Sequence, residues 1–127
     1  MDPLGHPEQR TCTSEELRVR LQEALAIEPE LAGRLSKART SVAFVVVDDE
    51  GGGAITLLLD RRPPVVAPRS EPAEVEMHLS AAQAHSFSCG ELALPAAVLN
   101  GDVRCYGPAR AYLGVDAVLR TLLARSL

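Results

Sequence analysis

The residues able to do chemistry in this chain are few and scattered. His78 and His85 are the nearest approach to an acid–base pair or a metal-binding pair. They lie across a strand–helix junction with no third partner at a useful spacing, so they read as surface or boundary histidines. Cys12, Cys89 and Cys105 are odd in number and form no CxxC, which indicates neither a disulfide framework nor a zinc knuckle. Cys89, beside Gly90 at a helix end, and Cys105, on the inward face of a strand, read as small buried hydrophobes. Gly51-Gly52-Gly53 would cradle a phosphate if it opened a helix, but it joins two strands and reads as a hairpin turn. Asp48, Asp49 and Glu50 lack the spaced oxygen ligands of a calcium loop and read as a solvated turn. Tyr106 and Tyr112 can offer hydroxyls to a ligand or sit at an amphipathic boundary. GxSxG, HExxH, P-loop and GxGxxG patterns are absent. Catalytic residues are therefore unassigned, and no metal or cofactor is expected.

Bulk properties narrow the function further. The 127 residues suit one domain, long enough to bury a core without disulfides or metals. Only 3% are aromatic, with no Trp, so aliphatic side chains must fill the interior. Stacking platforms for single-stranded nucleic acid need aromatics, and a net charge of −4 does not suit a phosphate-tracking surface. No nucleic-acid partner is expected. The N-terminus lacks a basic region followed by an apolar run, and the longest apolar stretch, 42–47, is far too short to span a bilayer. Free thiols suit a reducing compartment, which points to the cytoplasm.

These residues need elements to hold them. Residues 1–12 read as a flexible N-terminal arm and 13–127 as a single domain. Thr13 or Ser14 caps a first helix with the stripe Leu17, Leu21, Ala24 and Leu25. Pro29 opens a short second helix with Leu31 and Leu35 on one face. From Ser41 the period changes: 41–47 and 54–59 predict an antiparallel hairpin about the turn 48–53. Val65-Val66-Ala67 predicts an edge strand within a Pro-rich loop. At 74–79 Val75, Met77 and Leu79 alternate with Glu74, Glu76 and His78, as in a half-buried strand. Ser80 and Gln83 form a capping box for a helix that Gly90 ends. A short helix over 95–99, a strand over 102–106 and a final helix from Pro108 complete the chain. Strands in a run predict an α+β fold with a mostly antiparallel five-stranded sheet and helices packed on one face.

The excess of aliphatic residues carries the functional expectation. Strands 42–47 and 55–59 are apolar on both faces, whereas a sheet covered on one side should alternate. They need a packed centre, an apolar cavity on one face, or a partner subunit on the other, so a homodimer is possible.

The order of these signals resembles the sterol carrier protein type-two (sterol-binding, lipid-transfer) domain family. The resemblance rests on Val75-Glu76-Met77-His78-Leu79-Ser80, on Cys89-Gly90-Glu91-Leu92, on Ala96 through Asn100-Gly101-Asp102-Val103, and on Cys105-Tyr106-Gly107-Pro108. The hairpin and Pro64-Val65-Val66 extend it to about residues 31–125. The resemblance implies a five-stranded sheet, helices on one face, and a tunnel for acyl chains or sterols between them. It departs from the family at Glu91, where Lys or Arg is common.

The expected function is binding or carrying of an apolar small molecule, such as an acyl chain, sterol or polyketide-like compound. The alternative is a small tailoring enzyme, an isomerase or cyclase, that orients a hydrophobic substrate in the same pocket. Expected lining residues are Phe44, Val46, Leu57, Val75, Met77 and Leu79 from strands, and Phe87, Leu94, Val98, Tyr112, Val115 and Leu119 from helices. In the first hairpin Val45 and Leu58 replace Val46 and Leu57 if the register slips by one residue.

Overall fold

A computed structural model describes residues 10–37, 39–49, 53–61 and 64–125, without the side chains at 31, 36, 109 and 113–115. In chain order the elements are α1 (Ser14–Ile27), α2 (Pro29–Ser36), β1 (Ser41–Val46), β2 (Gly53–Leu58), β3 (Val65–Ala67) and β4 (Val75–Leu79). They continue with α3 (Ala81–Ser88), α4 (Leu94–Leu99), β5 (Arg104–Tyr106) and α5 (Ala109–Arg125). The order matches the sequence expectation. Residues 1–9 of the expected arm lie outside the described residues, but its last residue, Cys12, is buried and its N–H donates to the Ala81 carbonyl.

The strands lie in the order β3-β2-β1-β4-β5. Neighbouring pairs are antiparallel except β1 and β4, which run parallel. The mostly antiparallel expectation therefore holds, with a parallel pair at the centre of the sheet. Register decides facing. Phe44 is opposite Ile55 on one side and Met77 on the other, and Val42 is opposite Leu57 and Val75. The Phe44 ring meets the Phe87 ring of α3 at a 5.2 Å centroid distance. Val42, Phe44, Val46, Ile55, Leu57, Val75, Met77 and Leu79 thus turn toward the helices. No slip occurs, and Val46 and Leu57 take the inward positions.

The opposite face is covered by the chain itself. β3 and β4 are separated in the sheet by β2 and β1, so the connection between them must cross those two strands. It crosses on the face away from the helices. Thr56, completely buried on that face, donates its hydroxyl to the Arg69 carbonyl and accepts from the Glu71 N–H, both at 2.9 Å. The strap ends where the Thr40 hydroxyl donates to the Glu74 carboxylate and the Glu74 N–H donates to the Ser41 hydroxyl. Ala43, Leu58 and Ala67 are buried on this side. This segment supplies part of the second cover expected over the hairpin, while Val45 stays half-buried and Val47 exposed.

Helix ends are closely specified. Thr13 with Glu16 and Ser80 with Gln83 form reciprocal capping boxes. The hairpin turn adds a second cap to each helix: Asp49 accepts from the Ser14 N–H at 2.9 Å, and Asp48 accepts from the Ala81 N–H. The expected solvated turn is present, with Asp48 exposed and Asp49 half-buried, and its carboxylates also serve as caps; Glu50 lies outside the described residues. The two carboxylates sit at positive helix ends and tie β1 to the helical layer. From α1, the Arg20 guanidinium donates to the Ser88 and Leu123 carbonyls, near the negative ends of α3 and α5. Gly107 adopts φ +107°, and a Cβ there would stand 2.2 Å from the Glu74 carbonyl oxygen, so β5 leaves the sheet close against the start of β4.

Thr56→Val should keep the shape of the site but strand the Arg69 carbonyl and the Glu71 N–H. We expect a loss of about 1–3 kcal/mol in urea unfolding. Wild-type stability would show that the strap is held by other contacts. Asp49→Ala should cost ~1 kcal/mol through the lost cap on α1, read from the same transition.

Candidate functional site

The inner layer contains an apolar cavity at its β5 end. Met77 and Cys105, directly opposite one another in β4 and β5, form one wall. Leu94, Pro95, Val98 and Leu99 of α4 form a second, and Tyr112 of α5 closes the space. Its volume is about 160 Å³. Pro95 near the start of α4 and the Asn100-Gly101 end of that helix keep it short, so its apolar side lies over the edge of the sheet. Gly101 at φ +79° lets the chain reverse there, with the Asp102 N–H bonded to the Ala97 carbonyl.

Burial grades the cavity from floor to mouth. Met77, Leu94 and Tyr112 are buried, at 1% exposure or less. Pro95, Val98 and Cys105 are half-buried, and Leu99 is 87% exposed. The opening therefore lies by Leu99 at the end of α4. Burial also raises the Cys105 thiol pKa, which makes it a weak nucleophile.

The floor has a polar backing. Tyr112 donates its hydroxyl to Asp116 Oδ1 at 2.9 Å, and Arg120 Nε donates to Asp116 Oδ2 at 3.0 Å. The three residues follow one another at four-residue steps along α5, and Asp116 is buried. Burial, reinforced by the nearby Asp116 carboxylate, raises the Tyr112 phenol well above its ordinary range. Sequence reasoning missed Asp116 and Arg120. The signal was present in their spacing from Tyr112 on the buried face, where a charged residue demands a partner.

The expected lining residues divide into two groups. Met77, Leu94, Val98 and Tyr112 come together at the cavity. Phe44, Val46, Leu57, Val75, Leu79, Phe87 and Leu119 are instead packed in the central core with no exposure. The Val115 side chain lies outside the described residues. Pro95, Leu99 and Cys105 line the cavity without having been expected to. Among the other candidates, His78 is on the outer sheet face, bonded to Glu76 at 2.8 Å and in edge contact with Tyr106. His85 lies on α3, where its Nε2 is 3.7 Å from the Cys89 sulfur. The two histidines are thus on different layers and form no pair. Cys12 is buried and its thiol is pushed up to about 11, chiefly by desolvation. Among the described residues no group of three or more His, Cys, Asp or Glu is placed to hold a metal. No helix there is long and apolar enough to cross a membrane.

Solved structures share this architecture. Sterol carrier protein domain 2 of Helicoverpa armigera is 16% identical, with a TM-score of 0.68 over 95% of this chain and 94% of that one. Apo sterol carrier protein 2 from Yarrowia lipolytica is 15% identical, with a TM-score of 0.67 over 84% and 89%. Sterol carrier protein-2 of Aedes aegypti, solved in complex with the C16 fatty acid palmitate, is 11% identical, with a TM-score of 0.61 over 87% and 96%. The fold is therefore that of the sterol carrier protein 2 domain. No protein-family model matches the sequence, and no curated protein matches it either.

Two outcomes follow for α5. Leu119→Ala should cost about 2–5 kcal/mol in thermal or urea unfolding, because Leu119 is packed in the core and not at the cavity. A smaller loss would place it beside empty space. For Tyr112, the folded phenol binds its proton more tightly than the unfolded one. Above the unfolded pKa of about 10 the native state holds more protons, so this contribution to stability is full below that pH and falls as pH rises. Absorbance at 295 nm should show a tyrosine that ionises only on alkaline unfolding, and Tyr112→Phe should remove that phase. A tyrosinate signal from Tyr112 in the folded protein at pH 10 would contradict the buried hydrogen bond.

Proposed function

We propose that this protein binds and carries an apolar small molecule in the space between the β4–β5 end of the sheet and helices α4 and α5. The observation that carries the reading is the cavity of about 160 Å³, lined by Met77, Leu94, Pro95, Val98, Leu99, Cys105 and Tyr112. Its one hydroxyl is already engaged by Asp116. Such a wall offers a ligand dispersion and release from water, worth roughly 0.8 kcal/mol per buried CH₂. Among the described residues it presents no charge to reject a hydrocarbon and no polar array to demand a headgroup. Likeness of fold to a palmitate-bound protein supports the same reading. Acyl chains are the class that fits best, because an open mouth at Leu99 lets a polar end remain in water.

The alternative of an isomerase or cyclase draws less support. The ionisable groups in its wall are Tyr112, whose proton is committed to Asp116 and whose pKa is raised, and Cys105, whose pKa burial also raises. A general acid works best with a pKa near the working pH.

Calorimetric titration with octanoate tests the proposal. We expect saturable binding that Val98→Asp abolishes, because an unpaired charge in the wall opposes an alkyl chain. Alkylation of Cys105 by N-ethylmaleimide should slow in the presence of octanoate. Absence of binding, together with unprotected Cys105, would overturn the carrier reading.

A further inference from the structure

The cavity is short, and its floor is built to stay where it is. A dry aliphatic cavity of ~150 Å³ accommodates benzene, while sites for drug-sized ligands usually span about 300–1,000 Å³. At about 160 Å³ this cavity belongs with the first. Two of the three residues at its floor are held from behind. On the strand side, Met77 is the cross-strand neighbour of Phe44, whose ring contacts Phe87 at 5.2 Å, and all of these are buried. On the helix side, swinging the Tyr112 ring away would break its bond to Asp116. That would leave a buried carboxylate with Arg120 as its remaining side-chain donor. Loss of a partner by a buried charged acceptor is costly. Met77 and Leu94, the other floor residues, have no such tether.

From this we infer that Tyr112, anchored through Asp116 to Arg120, is a length stop: the site takes a single ring or about six carbons of an alkyl chain and leaves the rest of a longer ligand outside. The inference rests on the carrier reading and assigns it a ligand class: short-chain or monocyclic apolar groups, or the terminus of a longer chain. Tyr112 is then the specificity-determining residue of the site. Leu99, exposed at the mouth, would be the last side chain the buried portion passes.

The test is calorimetric titration of the full chain with straight-chain alkanoates from butanoate to palmitate, each below its micellar concentration. For wild type, affinity should rise about fourfold per methylene while carbons enter the cavity. It should then level off, with less than about a threefold gain from octanoate to palmitate, since added methylenes stay in water. Tyr112→Ala should move the plateau to longer chains, and Tyr112→Phe, which keeps the ring but cuts the tether, should move it in the same direction by less. Thermal unfolding shows whether each variant is folded, and if the alanine variant is not, the phenylalanine variant decides. A steady rise in wild-type affinity through palmitate would overturn the length stop and leave the carrier reading intact. So would a plateau unmoved in the folded Tyr112 variants. No binding at any chain length would overturn the carrier reading and the length stop with it.

Discussion

The parallel pairing of β1 with β4 at the centre of the sheet is the constraint on which the other arrangements depend. It places Val42, Phe44 and Val46 level with Val75, Met77 and Leu79, making a continuous apolar surface from strands far apart in sequence. Parallel neighbours cannot be joined by a tight turn. Here the chain between them forms the β2–β3 antiparallel extension and then returns across the outer face. One pairing thus sets the strand order, the need for the Pro-rich strap, and the face left to the helices.

With the outer face strapped, the helical layer can be specialised. The turn after β1 ties to it through Asp48 and Asp49 at the starts of α3 and α1, and Arg20 of α1 joins the ends of α3 and α5 within the layer. These contacts are directional, so they fix where helices begin and end more sharply than apolar packing does. The aromatic contact between Phe44 and Phe87 fills the centre below α3. Among the described residues an apolar space remains toward β5, where the strand is short and α4 is a short helix. The cavity is a consequence of that thinning at the sheet edge.

In the Tyr112–Asp116–Arg120 series, Tyr112 and Asp116 are buried in a largely apolar interior and Arg120 is half-exposed. Replacing such a group of partners with apolar residues is often neutral or stabilising, so its presence is weak evidence of a stability role. Its geometric effect is clear: it holds a large ring at one end of the cavity in one orientation. That couples the packing of α5 to the size of the space a ligand can enter.

Much of this was decided by the amino-acid sequence alone. Element order follows from local chemistry: the Ser80–Gln83 box, the Gly90 and Asn100-Gly101 stops, and the two-residue alternation through Val75, Met77 and Leu79. Each of these acts over a few residues and needs no distant partner. Tertiary structure decided what depends on pairing at a distance. The alternation in β4 identified its inward face, but in the doubly apolar hairpin both faces were equivalent until register with β4 and contact with Phe87 distinguished them. Likewise, nothing in the run 42–47 says whether a strap or a second subunit covers its outer side. A residue's apolar character made Phe44, Leu57 and Leu119 candidates for a ligand site, and packing put them in the core. A cavity is a property of the distances between elements, and composition carries no information about where close packing fails. That is why the expected residues Met77, Leu94, Val98 and Tyr112 could not be told from many equally apolar ones, and why Pro95, Leu99 and Cys105 joined them at the cavity only when β5 and α4 were seen side by side.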